Sequence, residues 1–262
     1  MKKVLLGFVC LAPLVLTSTV QAADKKVVVA TAGDIKPFSY EDKAGELTGY
    51  DIEVIKAASK YLDGYKVTYK RTSWKSIFVG LDSGHYQIAA NNLSYTKERA
   101  DKYLYSLPIA KNPFVLVVPK DSDIKSLEDI GGKTTQDDTG TSAIQFVLDW
   151  NKEHPDNPSK IEYSGEDLSK HLLDLENGEF DYMIFDKISV ETVIKQKGFD
   201  LTIIPIETNL NSNNYIIFSD DSNDLQKQFN KAVKKLYKNG KLEKLSQKYL
   251  GGSYLPDKKE LD

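Results

Sequence analysis

From residue 27 the chain alternates short apolar runs with stretches in which apolar residues recur every three or four positions. Residues 27–30 predict a first strand, and 34–49 a loop carrying Pro37, Phe38, Tyr40 and Gly45. Ile52, Ile55, Ser59 and Leu62 follow at helical spacing after Asp51, with Gly64 as the stop signal. Residues 67–69 read as a strand, and Trp74, Ile77, Phe78 and Leu81 line a second helix ended by Gly84. Residues 87–90 complete a βαβαβ rhythm, which predicts a mostly parallel sheet with helices on both faces.

The pattern restarts after PFVLVVP at 113–119, an apolar run bounded by prolines. A short helix at 126–130, a strand at 133–136 and a helix from Ser142 come next. Strands at 161–163, 180–185 and 201–206 complete a second α/β lobe over about 113–206. Residues 214–219 read as one more strand, and 222–250 as two helices broken near Asn239 and Gly240. Periodicity alone assigns these last elements to neither lobe. No repeat, low-complexity tract or Gly/Ser linker appears, so two α/β lobes meeting at a ligand-sized cleft are expected.

The two ends and the composition narrow the setting. Lys2 and Lys3, the apolar stretch 4–16 interrupted by Pro13, and Val20-Gln21-Ala22 read as a cleavable export signal over 1–22. The run is shorter than the roughly 20 residues that cross a bilayer. Cys10 lies inside it rather than at its end, which favours cleavage and release over a lipid anchor. Removing 1–22 removes the only cysteine, so neither a disulfide nor thiol chemistry is expected. It also removes two lysines, taking the formal net charge from −3 to −5. A mildly acidic exported chain has no overall electrostatic reason to seek nucleic acid or anionic lipid. His85, His154 and His171 lack metal-ligand spacing and read as surface residues, so no metal or cofactor is expected.

The densest candidate chemistry lies in AANNLSYTKERADKYLYSLP at 89–108. Asn91, Asn92 and Ser94 end a strand, and Arg99 follows Ser94 by five residues. A guanidinium fixed beside a polar uncharged rim offers a planar fork to both oxygens of a free α-carboxylate. Runs like Lys97 to Lys102 are usually solvated helix faces, but this one follows directly on a buried-looking strand. Gly140, Thr141 and Ser142 precede an apolar helix, whose N–H groups suit a carboxylate; Thr141 also reads as an ordinary N-cap. Asp186 falls at the carboxyl end of its strand, the side on which α/β folds bind ligands. Asp181, at the other end, reads as a turn residue. Trp74 fits either core or cleft, with Tyr40 and Phe38 as further candidate walls. Asp137 and Asp138 are adjacent and diverge on a strand, so they form no acid/base pair. Neither GxSxG nor HExxH occurs.

The motifs PFSY, GELTGYDIEVIKA, GHYQIAANNLSYTKERADKYLYS, SLEDIGGKTT, TGTSA, GEFDYMIFD and KYLGGSYLP occur in an order that resembles the extracellular solute-binding proteins of family 3. These serve polar amino-acid ABC transporters. The resemblance implies a type II periplasmic-binding-protein-like α/β fold, two lobes joined by crossover strands and closing on an amino acid. It returns the chain to lobe 1 after about residue 206, giving 23–112 plus 207–262 as lobe 1 and 113–206 as lobe 2. By position it assigns Arg99 to the ligand carboxylate, with Asn92 and Ser94 lining the groove and Trp74 as an aromatic wall. Thr141 and Ser142 match the capping loop, and Asp186 the acid that holds the α-ammonium. Ala32 stands where many members carry an acid, which questions a second ammonium contact. Ile35 stands where they usually carry a stacking aromatic, reshaping the side-chain end of the pocket. The implied partners are an amino-acid ligand and an ABC permease in the cytoplasmic membrane, with no nucleic acid and a monomeric receptor. The implied location is the periplasm or the extracellular face of the cytoplasmic membrane. The cystine-type branch is most similar, with glutamine or another polar amino acid as runner-up. Aromatic-acid dehydratases on the same lobe pattern, an adhesin and a sensor domain are the rival classes.

Overall fold

The computed structural model describes residues 24–207 and 212–261, so the expected export signal at 1–22 lies outside the described residues. The first run of elements is β1 (Lys25–Thr31), α1 (Tyr50–Ala58), β2 (Tyr65–Arg71), α2 (Trp74–Asp82) and β3 (Ile88–Ser94). A one-turn helix α3 (Lys97–Ala100) follows β3 directly. Next come β4 (Phe114–Pro119), β5 (Thr134–Asp137), α4 (Ser142–Glu153), β6 (Lys160–Tyr163), α5 (Leu168–Glu176), β7 (Met183–Asp186), α6 (Lys187–Lys197) and β8 (Leu201–Pro205). The chain ends with β9 (Asn213–Phe218), α7 (Asn223–Lys238) and α8 (Lys241–Leu250).

Side-chain alternation explains why each sheet carries helices on both faces. In the first sheet Val27 and Val29 pack with Ile52, Phe229 and Leu242, while Ala30 on the opposite face packs with Ile77 and Leu81. In the second, Val115 and Val117 of β4 meet Leu172 and Val190, whereas Leu116 and Val118 meet Val147 and Trp150. The closing helices, which periodicity left open, bury Phe229, Leu236 and Leu242 in the same core as Val27.

The sheets are less parallel than the βαβ rhythm predicts. β2, β1 and β3 are parallel, but β9 joins β3 antiparallel. β7 and β8 flank β4 antiparallel, and only β5 with β6, plus one bridge from Thr135 to Tyr182, is parallel in the second lobe. Hydrophobic period reports which faces are buried and carries no strand direction. β4 and β9 follow the two passages of the chain between the lobes, and each lies antiparallel to strands beside it. The passages touch where the Asn112 N–H donates to the Ser212 carbonyl at 2.6 Å.

Gly49 fixes the entry of α1 beneath the cleft. Its φ of 111° lies where L-residues are strained, and an added Cβ would stand 2.4 Å from the Phe38 carbonyl oxygen. That carbonyl accepts the Asp51 N–H, and the Pro37 carbonyl accepts that of Tyr50. Gly49→Ala is therefore expected to cost about 3 kcal/mol, backbone strain plus overpacking, read as a lower urea midpoint at unchanged slope.

Candidate functional site

β3 ends in a buried polar segment whose geometry is set by Asn92. Its φ of 52° is left-handed, a region that asparagine tolerates better than most residues. The turned backbone N–H donates to Asp51 Oδ2 at 2.7 Å, and Asn214 Nδ2 donates to Asp51 Oδ1 at 2.9 Å. The Asn92 side chain thereby faces the other lobe. Its Nδ2 donates to Asp186 Oδ2 at 2.8 Å, and its Oδ1 accepts from Asn112 Nδ2 at 3.1 Å. Asp186 Oδ1 is buried with no partner and is free to take a donor. Burial, then the nearby Asp137 charge, pushes the Asp186 carboxyl up to about 8.

Arg99 is 7% exposed and held on three sides. Its Nη1 donates to the Ser94 carbonyl at 3.2 Å and its Nη2 to the Gly140 carbonyl of the second lobe at 2.8 Å. The guanidinium lies 5.4 Å from the Trp74 ring centroid and 5.1 Å from that of Phe78, within cation–π range. Burial lowers its pKa, yet a guanidinium stays charged at any physiological pH. Trp74 opens α2, and its indole Nε1 donates to the Thr139 carbonyl at 3.1 Å, again across the cleft. Thr141 is the N-cap of α4: its hydroxyl accepts the Ile144 N–H and donates to Asp137 Oδ2 at 2.9 Å.

These groups surround a cavity of about 380 Å³ between the lobes. Ile35, Trp74, Asn91, Asn92, Arg99, Thr141, Ser142 and Asp186 all line it. Ser94 does not; it contributes its carbonyl, which holds Arg99 and accepts from the Tyr105 hydroxyl. Asn91 lines the cavity but commits its Oδ1 to the Ala32 N–H and the Thr31 hydroxyl, fixing the loop after β1. Phe38 is fully buried against Tyr50, and neither it nor Tyr40 lines the cavity; Phe114 and Phe185 do. Asp181 Oδ2 accepts the Thr134 N–H at 2.7 Å, a structural tie between strands.

Sequence reasoning missed the far end of the cavity. His171, read as a surface residue, is 2% exposed, lines the cavity, and keeps a buried Nε2 without a partner. It falls on the apolar stripe Leu168, Leu172 and Leu175 of α5, and that register was the available signal. Ala32 does not leave the far end short of acid: Asp34 follows two residues later in the same loop, and Asp138, Glu166 and Asp167 come from the second lobe. Six carboxylates thus line the cavity against Lys75 and Arg99, and Lys75 already lies 3.7 Å from Asp138 across the cleft.

Buried acids make stability depend on pH in a definite direction. Asp51, Asp137 and Asp186 are raised to about 7, 7 and 8, each mainly by burial. An unfolded aspartate titrates near 3.9, so the folded chain binds more protons between about pH 4 and 8. Their stabilising contribution is complete below that window and is lost as pH rises through it. His171, lowered by burial, acts oppositely near its unfolded pKa of about 6.5. The ligand-free urea midpoint is therefore expected to fall from pH 7 to 8.5. Asp186→Asn should flatten the slope, by at most about 1.4 kcal/mol per pH unit.

The sequence model of the bacterial extracellular solute-binding proteins, family 3, matches residues 27–252, nearly the whole described chain. This chain belongs to that family. The solute-binding protein is 36% identical over 227 residues to the L-cystine-binding protein TcyA of Bacillus subtilis, covering 86% of this chain and 81% of TcyA. It is 31% identical to TcyJ, another L-cystine-binding protein of that organism, over 87% of this chain and 85% of TcyJ. A structure from work on glutathione import via GshT and the cystine ABC importer TcyBC of Streptococcus mutans superposes with a TM-score of 0.87. That pair is 55% identical over 90% of this chain and 99% of the other. The two-lobe architecture is the type II periplasmic-binding-protein fold, and the family binds solutes for import rather than catalysing a reaction.

Proposed function

We propose that this solute-binding protein is the receptor of an ABC importer for a sulfur-containing ligand with a free α-amino-acid head, cystine first. One observation carries the reading: Arg99, anchored in one lobe, and Asp186, ending a strand of the other, line the same cavity with Asn92 bonded to the acid. In this reading the Arg99 fork takes the α-carboxylate, helped by Ser142 and the α4 N-terminus, and Asp186 takes the α-ammonium. Trp74 walls the aliphatic segment. Contacts of Trp74, Lys75 and Arg99 to residues 138–140 latch the closed form, so ligand that touches both lobes draws the population toward it. Lobe 1 is 23–112 plus 207–262 and lobe 2 is 113–206. The receptor works as an exported monomer beside a membrane permease.

The far end favours cystine, whose second head is a zwitterion: its ammonium suits the carboxylates of Asp34, Glu166 and Asp167 and offsets the carboxylate beside it, which Lys75 can meet. Glutathione is the second reading, supported by the S. mutans likeness and by a γ-glutamyl end with the same zwitterion. Its glycine carboxylate would meet an acidic wall with only Lys75 to answer it. Thermal shift and calorimetry with cystine, glutathione, glutamine and arginine decide the matter, since a ligand of the native state raises the melting midpoint. Cystine is expected to give the largest shift. Glutathione alone would establish the second reading, and glutamine or arginine alone would overturn both.

A further inference from the structure

Charge is divided unevenly over this molecule. The segment 223–250, spanning α7 and α8, holds eight lysines against Asp224 and Glu243, a balance of +6. The whole chain carries −3, so the remainder carries −9. Elsewhere between Lys25 and Lys259, ten of 23 lysines lie within ion-pair distance of a carboxylate among the described residues. On α7 and α8 the exposed side chains of Lys227, Lys231, Lys238, Lys241 and Lys244 reach no carboxylate among the described residues.

The helix pair is strongly two-sided. Leu225, Phe229, Leu236, Leu242 and Leu245 are buried in the first-lobe core, which leaves the lysines on the opposite, outer side. No residue of either helix lines the ligand cavity, so a partner on this face leaves the cleft open. The cations are all lysines. An ammonium on a flexible stem is a point charge without the fork that reads a shaped phosphate or carboxylate. Such a face complements a diffuse sheet of negative charge better than a contoured protein pocket.

We propose that the α7–α8 face docks on the surface of an anionic phospholipid bilayer and holds the receptor there with its cleft free. The docking is electrostatic: it weakens with salt and requires no insertion of apolar side chains. It overrides the inference from net charge, because a bilayer meets one face of the protein and not its average.

Co-sedimentation of the exported protein with phosphatidylglycerol-rich vesicles, compared with pure phosphatidylcholine vesicles, tests this. Binding to the anionic vesicles alone, reversed by high salt, is expected. Each surface lysine contributes roughly fivefold to partitioning, so the triple variant Lys231→Gln, Lys235→Gln, Lys238→Gln should bind about a hundredfold more weakly. A charge-matched control, Lys120→Gln, Lys152→Gln, Lys170→Gln, should bind as the parent does. Both variants should keep the parent's helical spectrum and ligand affinity. Absence of vesicle binding, equal binding to neutral vesicles, or an equal loss in the control would overturn the proposal. So would retention by heparin without binding to vesicles.

Discussion

Arg99→Ala is expected to lower ligand affinity by roughly a thousandfold, about 4 kcal/mol, while the circular dichroism spectrum stays that of the parent. The size follows from desolvation. The guanidinium is 7% exposed and already bonded to the carbonyls of Ser94 and Gly140, so a carboxylate meeting it is paired in a site closed to water. Removing it leaves that carboxylate buried beside Trp74 and Phe78 without a counter-charge. Arg99→Lys should fail almost as badly, because one ammonium cannot hold two backbone carbonyls and still face both ligand oxygens. Calorimetry of both variants decides it. An alanine variant that keeps affinity within tenfold would remove Arg99 from the site.

Asp186→Asn should cost about 3 kcal/mol of affinity, roughly a hundredfold, by replacing a carboxylate with an amide of nearly equal shape. Asp186 Oδ1 has no partner in the buried site, and Asn92 steadies Oδ2 at 2.8 Å, so the acid presents one free oxygen in a fixed direction. A ligand analogue lacking the α-amino group separates this role from general damage. The parent should lose about a hundredfold on that analogue, and the asparagine variant should hardly discriminate. With an acid raised to about 8, ligand ammonium drives ionisation, so binding near pH 7 should release a proton. Calorimetry in buffers of different ionisation enthalpy reads that release directly. Equal affinity of parent and variant for the intact ligand would end the assignment.

The residues legible in the sequence share a kind of place. Arg99 follows a strand end, Trp74 and Thr141 open helices, and Asp186 closes a strand. Element boundaries in α/β folds gather at the cleft, so locating the boundary located the side chain. His171 was missed because its polar type outweighed its position between Leu168 and Leu172 on a buried stripe. Asp137 and Asp138 do not diverge as expected on a strand: β5 ends at Asp137, Asp138 lies beyond it, and both line the cavity. Glu166 and Asp167 lie in a loop whose approach to Asp34 depends on how the lobes meet, which no local pattern records. Strand direction was illegible for a similar reason. The apolar run at 113–119 and the strand expected at 214–219 carry no mark of direction, and β4 and β9 lie antiparallel to the strands beside them.

In the proposed binding mode, the chain of contacts from Asp51 through Asn92 to Asp186 and Asn112 ties the capture of a zwitterion to the segment where the backbone changes lobes. The wall formed by Gly165, Glu166, Asp167 and His171 makes no hydrogen bond within that chain. Descendants of this scaffold are thus free to exchange cargo by editing the remote wall while inheriting the grip and its mechanics unaltered.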